Sequence, residues 1–176
     1  MRFIPAMPLI IIGTLASACM SVPTGLHVYV SEDGCTSTGA CPYGGQAVAT
    51  YYYPPLREIV AAPNQGASTL LHEACHAHQH QVILTETGKE PTINLREWLA
   101  TAEGTAFITA TGWQPDGGTS QWGPTYYPTK TPWAWLSVQS PLEDAANTCS
   151  LFYRDPDELE QRSQARYNWA MRFLGL

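Results

Sequence analysis

The sequence predicts an α+β domain in which a small antiparallel sheet comes first and helices follow. Strand-favouring runs lie in the first third of the chain, and apolar residues at helical spacing dominate the rest. Such segregation of strands from helices is typical of α+β folds. At 176 residues the chain is long enough for one hydrophobic core, and a second full domain is not expected.

The N-terminal eighteen residues have the pattern of an export signal. A positive charge precedes an apolar stretch, and Ala16-Ser17-Ala18 is a small-residue cleavage site. Residues 15–19, LASAC, resemble a bacterial lipobox, whose cysteine is lipidated and becomes the new N-terminus. Plain secretion after cleavage at Ala18 is the competing interpretation. We therefore assign 1–18 to a signal peptide and 19–176 to one exported bacterial domain, periplasmic or extracellular, which lipid on Cys19 would attach to the membrane.

The expected sheet comes from three short runs after the signal. Residues 27–31 (HVYVS) and 46–53 (QAVATYYY) favour strands, and a Gly-rich loop bracketed by cysteines separates them. Residues 57–62 are a third candidate, before a turn that begins at Pro63. We expect these runs to form a small antiparallel region.

Four helices are expected where apolar residues recur at helical spacing, over residues 68–85, 95–109, 142–152 and 157–173. Ser68 is the expected N-cap of the first helix, and Gly112 follows the end of the second. Asp155-Pro156 supplies a cap and a first-turn proline for the last. Residues 114–130, rich in Gly, Pro, Thr and Tyr, show no periodicity, so we expect a long loop or lid that contacts substrate.

The charge of the chain argues against a nucleic-acid partner. It has 9 Lys+Arg against 15 Asp+Glu, a formal net charge of -6. The few basic residues are scattered, so no basic stripe is available to neutralise phosphates. We expect no nucleic acid to bind.

Cysteine usage predicts disulfides. Of five cysteines, four remain if Cys19 carries lipid. Local spacing favours a bond between Cys35 and Cys41, because the residues between them are turn-like, and this leaves Cys75 with Cys149. No Cys-x-x-Cys pair occurs, so disulfides are favoured over a cysteine zinc site. Disulfides in turn indicate an oxidising compartment.

The run HEACH, residues 72–76, fits the pattern H-E-x-x-H. On a helix, residues four apart share one face, so His72 and His76 can bind one ion while Glu73 projects beside them. Zinc lowers the pKa of bound water toward about 7, and a nearby carboxylate can accept the proton during attack on a peptide carbonyl. The motif therefore predicts a Zn²⁺ site with both histidines as ligands and Glu73 as the catalytic base.

A catalytic zinc needs a third protein ligand, and two regions offer a glutamate. In the first, residues 98–106 (WLATAEGTA) resemble, through their E-G-x-A part, the W-x-x-E-G-x-A signature of aminopeptidase-like zincins, with Glu103 as the ligand and Glu97 as a weaker option. In the second, Glu143 opens a helix and shares a face with Asn147. Glu143 would then be the ligand and Asn147 its hydrogen-bonding supporter. A Cys75–Cys149 bridge would join the histidine helix to this second region.

The C-terminal segment favours Glu143. Its runs PLEDAAN (141–147), FYRDP (152–156) and RY (166–167) resemble the C-terminal half of the anthrax lethal factor-like glutamate zincins. The resemblance covers about residues 57–174 and implies a zincin-like fold with zinc-dependent metallopeptidase activity, endopeptidase rather than aminopeptidase, on a peptide or protein substrate. It also implies the site residues: His72, His76 and Glu143 as zinc ligands and Glu73 as base. By the geometry of that clan, substrate is expected along an edge strand at 57–62.

Some positions depart from the family pattern. Asn147 stands where the family usually has an acidic residue that supports the ligands, and Ala145 replaces a bulky aromatic. The family's tyrosine before the ligand is also absent, so Tyr126 or Tyr127 would have to stabilise the oxyanion. These departures motivate an alternative, a non-catalytic zinc-binding envelope lipoprotein that retains the zincin fold.

Overall fold

The computed structural model of the chain describes residues 25–45, 50–88, 95–120, 123–128 and 140–174, with only the backbone at 115–120 and 123–128. The predicted signal peptide, Cys19 and residues 46–49 of the second predicted strand lie outside the described residues. Within these ranges the fold is α+β, as predicted, with six α-helices, a three-stranded sheet and a two-stranded sheet.

The elements follow one another in a simple order. The strands are β1 (His27–Val30), β2 (Tyr51–Tyr53), β3 (Glu58–Ala61), β4 (Trp113–Ser120) and β5 (Gly123–Pro128). The helices are α1 (Ala67–Thr87), α2 (Leu95–Leu99), α3 (Ala102–Thr111), α4 (Pro141–Arg154), α5 (Pro156–Arg162) and α6 (Gln164–Phe173).

The first sheet is mixed rather than antiparallel. Its strand order is β1-β3-β2, with β1 parallel and β2 antiparallel to β3. All four residues of β3 are buried, which is typical of a central strand. The expectation of an edge strand at 57–62 is therefore wrong, because β1 and β2 form the edges. Strand direction depends on the route of the chain between strands, which the local pattern does not record.

Helix α1 packs on this sheet and begins earlier than expected. Its N-cap is Gly66, not Ser68, and Gly66 O accepts hydrogen bonds from Thr69 N (3.1 Å) and Leu70 N (3.3 Å). At the other end Gly88 takes a left-handed conformation (φ 65°), and its N–H donates to Leu84 O. A glycine in this conformation commonly ends a helix, which explains why α1 extends past the predicted Thr85.

The second and fourth predicted helices are each divided in two by an internal cap. Thr101 separates α2 from α3, and its side chain accepts a hydrogen bond from Gly104 N. A Cβ at Gly104 would collide with the carbonyl oxygen of Trp98, so this turn requires glycine. Ser163 separates α5 from α6 in the same way, with its side chain accepting from Arg166 N. Apolar spacing continues across both caps, so periodicity alone joins the segments.

Two cap predictions are confirmed and one loop prediction is wrong. Gly112 ends α3, and Asp155 caps α5 by accepting from Glu158 N at 2.9 Å. The described parts of the predicted loop, residues 114–120 and 123–128, are not unstructured, because β4 and β5 pair as an antiparallel hairpin with an irregular register between Pro115 and Thr119. The sequence pattern did not predict this strand pair because the segment is rich in proline and glycine, which are depleted in strands.

Helices α1 and α4 form the centre of the domain and run antiparallel. Later positions on α1 contact earlier positions on α4: Ser68 O accepts from Ser150 Oγ, Cys75 bonds Cys149, and Gln79 donates to Leu142 O. The main core lies between the helices and includes Trp98, Trp113 and Trp169. No helix among those described is both long and apolar enough to cross a bilayer.

Both predicted disulfides are present. Cys35 bonds Cys41 across a small loop, and Cys75 bonds Cys149 with a Cα–Cα distance of 6.0 Å. Structural disulfides persist in oxidising compartments. The fold therefore indicates an oxidising environment for this protein.

Candidate metal centre

Helix α1 presents two imidazoles on one face. His72 and His76 are one turn apart, and their ring centroids lie 4.7 Å from each other. His76 is buried, whereas His72 is half-buried. Because α1 is anchored on the sheet by apolar residues, including Leu71 and Ala74, the opposite pair of histidines is directed toward α4.

Glu143 completes a cluster of three side chains. It lies in the first turn of α4, where Ser140 caps the helix by accepting from Glu143 N. Its Oε2 atom lies 3.3 Å from His72 Nε2 and 3.4 Å from His76 Nε2. The three ligand-type atoms are all within 4.8 Å of one another. The antiparallel packing of α1 and α4 thus brings together His76 and Glu143, which are 67 positions apart in the sequence.

The donor chemistry of this cluster and two of its three ligand-atom separations are compatible with a zinc ion. Ligand atoms about 2.0–2.1 Å from a tetrahedral zinc are separated from each other by about 3.3–3.4 Å. Both Glu143 Oε2 separations match that value. They exceed the 2.7–2.9 Å expected of a charge-assisted hydrogen bond. Two imidazoles and one carboxylate are also a donor set that catalytic zinc sites use.

Glu73 is fixed beside the cluster. It is buried, and its Oε2 accepts a hydrogen bond from Tyr52 N of β2 at 2.8 Å. Burial raises the pKa of Glu73, while the charges of His76 and His72 partly oppose that rise. The carboxylate therefore has one oxygen anchored to the sheet and a basicity above that of an ordinary glutamate.

Gln79 connects His76 to α4, and the sequence interpretation missed it. His76 Nδ1 donates to Gln79 Oε1 at 2.8 Å, and Gln79 Nε2 donates to Leu142 O at 2.9 Å. Gln79 is 2% exposed. Its position three residues after His76, on the same helical face, was the available signal.

The cluster is electrostatically coupled. Burial lowers the pKa of His76, but the Glu143 and Glu73 carboxylates and the Gln79 hydrogen bond together outweigh burial and raise that pKa to about 9. Partial burial favours the neutral form of Glu143, but the His76 and His72 imidazoles outweigh it and hold its pKa well below the usual range. In the metal-free centre, a protonated imidazole and the carboxylate therefore stabilise each other at neutral pH. A bound cation would take the place of that proton.

Glu103, the other candidate ligand, lies in a different place. It is buried on α3, and its Oε2 is 3.0 Å from His78 Nε2. The structure therefore groups Glu143 with the motif histidines and pairs Glu103 with His78. His80, the last histidine on α1, is buried, and its Nδ1 hydrogen-bonds the Tyr52 hydroxyl at 2.9 Å.

The remaining predicted site residues are less closely tied to the cluster. Asn147 is half-buried on α4, and no hydrogen bond joins it to His72, His76 or Glu143, all of which are among the described residues. Tyr126 and Tyr127 lie on β5, where only the backbone is described. Gln79, rather than Asn147, is the residue whose side chain hydrogen-bonds a member of the cluster, His76.

The Cys75–Cys149 disulfide joins the two helices that supply the cluster. Cys75 lies between His72 and His76 on α1, and Cys149 lies six residues after Glu143 on α4. Both cysteines are buried in the core. The cross-link limits relative sliding of the two helices and so preserves the separations within the cluster.

Comparisons with known proteins leave the residues themselves as the basis for assigning a function. No protein-family model, curated protein or solved structure matches this chain.

Proposed function

We propose that the protein is a zinc-dependent metallopeptidase, an endopeptidase in which His72, His76 and Glu143 hold Zn²⁺ and Glu73 is the general base. The observation that carries this proposal is the position of Glu143 Oε2, nearly equidistant from the two motif imidazoles at 3.3 and 3.4 Å. A helix carrying H-E-x-x-H can arise without function. A carboxylate brought from a distant helix to the tetrahedral spacing is much harder to attribute to chance.

The exposure of the cluster favours a catalytic rather than a structural centre. Structural zinc sites use four protein ligands, while catalytic sites use three and keep one position open. Three such side chains come together in the described part of the chain. The Glu143 side chain is 47% exposed, so solvent and substrate can reach the cluster from that side.

The protein's own residues would divide the work as follows. When bound, zinc supplies Lewis-acid chemistry and lowers the pKa of water toward about 7. Glu73 accepts the proton of the attacking water and delivers it to the leaving amine. Its pKa, raised by burial, brings the carboxylate closer to the operating pH, which favours proton transfer in both directions. The Tyr52 N–H holds Glu73 Oε2, which leaves Glu73 Oε1 to accept the proton of the attacking water.

The proposed setting is periplasmic or extracellular. Two disulfides support an oxidising compartment. The signal at 1–18 would export the chain, and lipid on Cys19 would hold it at the membrane surface. A peptide or protein accessible in that compartment is the proposed substrate.

A peptide-library cleavage assay on the zinc-loaded mature domain tests this function. We compare the wild type with Glu73→Gln, and use Glu160→Gln, an exposed position on α5, as the matched control. The proposal expects chelator-sensitive cleavage by the wild type and Glu160→Gln, and none by Glu73→Gln at equal zinc content. Full zinc without cleavage by any form would favour the non-catalytic zinc-binding alternative. Cleavage that survives in Glu73→Gln would reject Glu73 as the base.

A further inference from the structure

Gln79 has a structural situation that the metal motif does not explain. It is a neutral polar side chain, 2% exposed, between the two helices that supply the proposed ligands. Burial of an amide is costly unless its polar atoms form hydrogen bonds. Gln79 forms two hydrogen bonds. One is with His76, a proposed ligand, and the other is with the carbonyl of Leu142, the residue before the proposed ligand Glu143.

The first hydrogen bond selects the tautomer of His76. Gln79 Oε1 can only accept, so His76 Nδ1 must donate across their 2.8 Å contact. In the neutral imidazole the lone pair is then on Nε2, the atom that lies 3.4 Å from Glu143 Oε2. The contact therefore directs the nitrogen that can bind metal toward the cluster.

The second hydrogen bond fixes the neighbour of Glu143. Gln79 Nε2 donates to Leu142 O, the carbonyl immediately before Glu143, at 2.9 Å. On the other side of Glu143, the Asp144 carboxylate accepts from Trp113 Nε1 at 2.8 Å and from Arg166 Nε at 3.1 Å. Glu143 is thus held between two anchored residues, and Gln79 links one of them to His76.

We propose that Gln79 is a positioning residue that sets both the tautomer of His76 and its distance from Glu143. The inference deepens the proposed function and rests on it for the role of the metal. Hydrogen-bonding partners of ligating histidines typically contribute 10- to 100-fold to metal affinity. Loss of both Gln79 bonds is therefore expected to weaken zinc binding by about that factor.

Three variants separate the two hydrogen bonds. Gln79→Met keeps the volume of the side chain and removes both bonds. Gln79→Glu keeps an acceptor for His76 Nδ1 but has no donor for Leu142 O. Gln81→Met is the control, because Gln81 is on the same helix and its hydrogen bond goes to Thr85 at the surface.

Zinc affinity is measured by competition with a chromophoric chelator, and the His76 tautomer by long-range ¹H–¹⁵N NMR. We expect Gln79→Met to bind zinc 10- to 100-fold more weakly and to lose the Nδ1–H tautomer, with Gln79→Glu between it and the wild type. Gln81→Met should match the wild type. Wild-type affinity together with the Nδ1–H tautomer in Gln79→Met would overturn the proposal. If Gln79→Met does not fold, wild-type affinity in Gln79→Glu would overturn the link to Leu142.

The NMR measurement also separates this inference from the proposed function. It is repeated on metal-free protein at about pH 10, where a histidine imidazole is neutral and has a defined tautomer. An Nδ1–H tautomer that is lost in Gln79→Met supports the role of Gln79 even if the wild type binds no zinc. An Nε2–H tautomer in the wild type would refute the inference whatever the metal content.

Discussion

Replacing Cys75 and Cys149 with alanine is expected to destabilise the domain by about 4.4 kcal/mol. The disulfide closes a loop with a sequence separation of 74, and the loop-entropy relation gives about 15 cal/mol/K for that length. The same relation gives about 2.2 kcal/mol for the Cys35–Cys41 bond, whose separation is 6. Lost contacts of the buried sulfurs add to the larger value.

Equilibrium unfolding in guanidinium, without reductant, measures both double variants against the wild type. Free energies extrapolated to water are compared rather than midpoints, because removing a cross-link exposes more surface on unfolding and changes the slope. Cys35→Ala/Cys41→Ala is the matched control for loss of any disulfide. If Cys75→Ala/Cys149→Ala costs no more than this control, the reasoning that the longer closed loop stabilises the domain more is wrong. We also expect Cys75→Ala/Cys149→Ala to bind zinc more weakly than the wild type, and Cys35→Ala/Cys41→Ala to bind it equally well.

Three further perturbations follow from the structure. Arg166→Met leaves the buried Asp144 carboxylate without its cation and should cost about 3–5 kcal/mol in urea unfolding; a cost below 1 kcal/mol would contradict this. Gly104→Ala should cost about 1–3 kcal/mol, seen as a lower Tm by circular dichroism, because a Cβ meets Trp98 O; an unchanged Tm would show that the turn can relax. Because the His76 pKa is raised to about 9, zinc uptake at pH 7 should release close to one proton and zinc affinity should rise with pH up to about 9. Calorimetry in buffers of different ionisation enthalpy measures this release, and pH-independent affinity would count against His76 as a ligand.

The raised His76 pKa also sets the pH dependence of metal-free stability. Its folded-state value lies above the unfolded value of about 6.5. The stabilisation is therefore fully present below about pH 6.5 and is lost as pH rises through about 9. Zinc binding should be strongest at pH values above about 9, at which this contribution to metal-free stability has been lost.

Features fixed by local spacing were predictable from the sequence. The four-residue interval between His72 and His76 places both on one helical face, and cysteine spacing gives both disulfides. The bond between Cys75 and Cys149 and the proximity of Glu143 to His72 are consistent with each other, because both require α1 to lie beside α4.

Features that depend on tertiary contacts were not predictable in this way. The parallel direction of β1 depends on chain routing, and caps at Thr101 and Ser163 divide helices whose apolar spacing is continuous. Gln79 has no motif of its own, since its role exists only when Leu142 O is brought to it. For the same reason helical spacing alone left Glu103, which contacts His78, as an alternative ligand, and only the resemblance of the C-terminal segment favoured Glu143.

Zinc stoichiometry by elemental analysis decides whether His72, His76 and Glu143 hold a zinc ion. The purified mature domain is compared with Glu143→Ala and with Glu103→Gln, a change in the other candidate glutamate that preserves side-chain size. We expect close to one zinc per chain in the wild type and Glu103→Gln, and loss of zinc in Glu143→Ala. Absence of zinc from the wild type, or full occupancy in Glu143→Ala, would show that these residues do not form a zinc site.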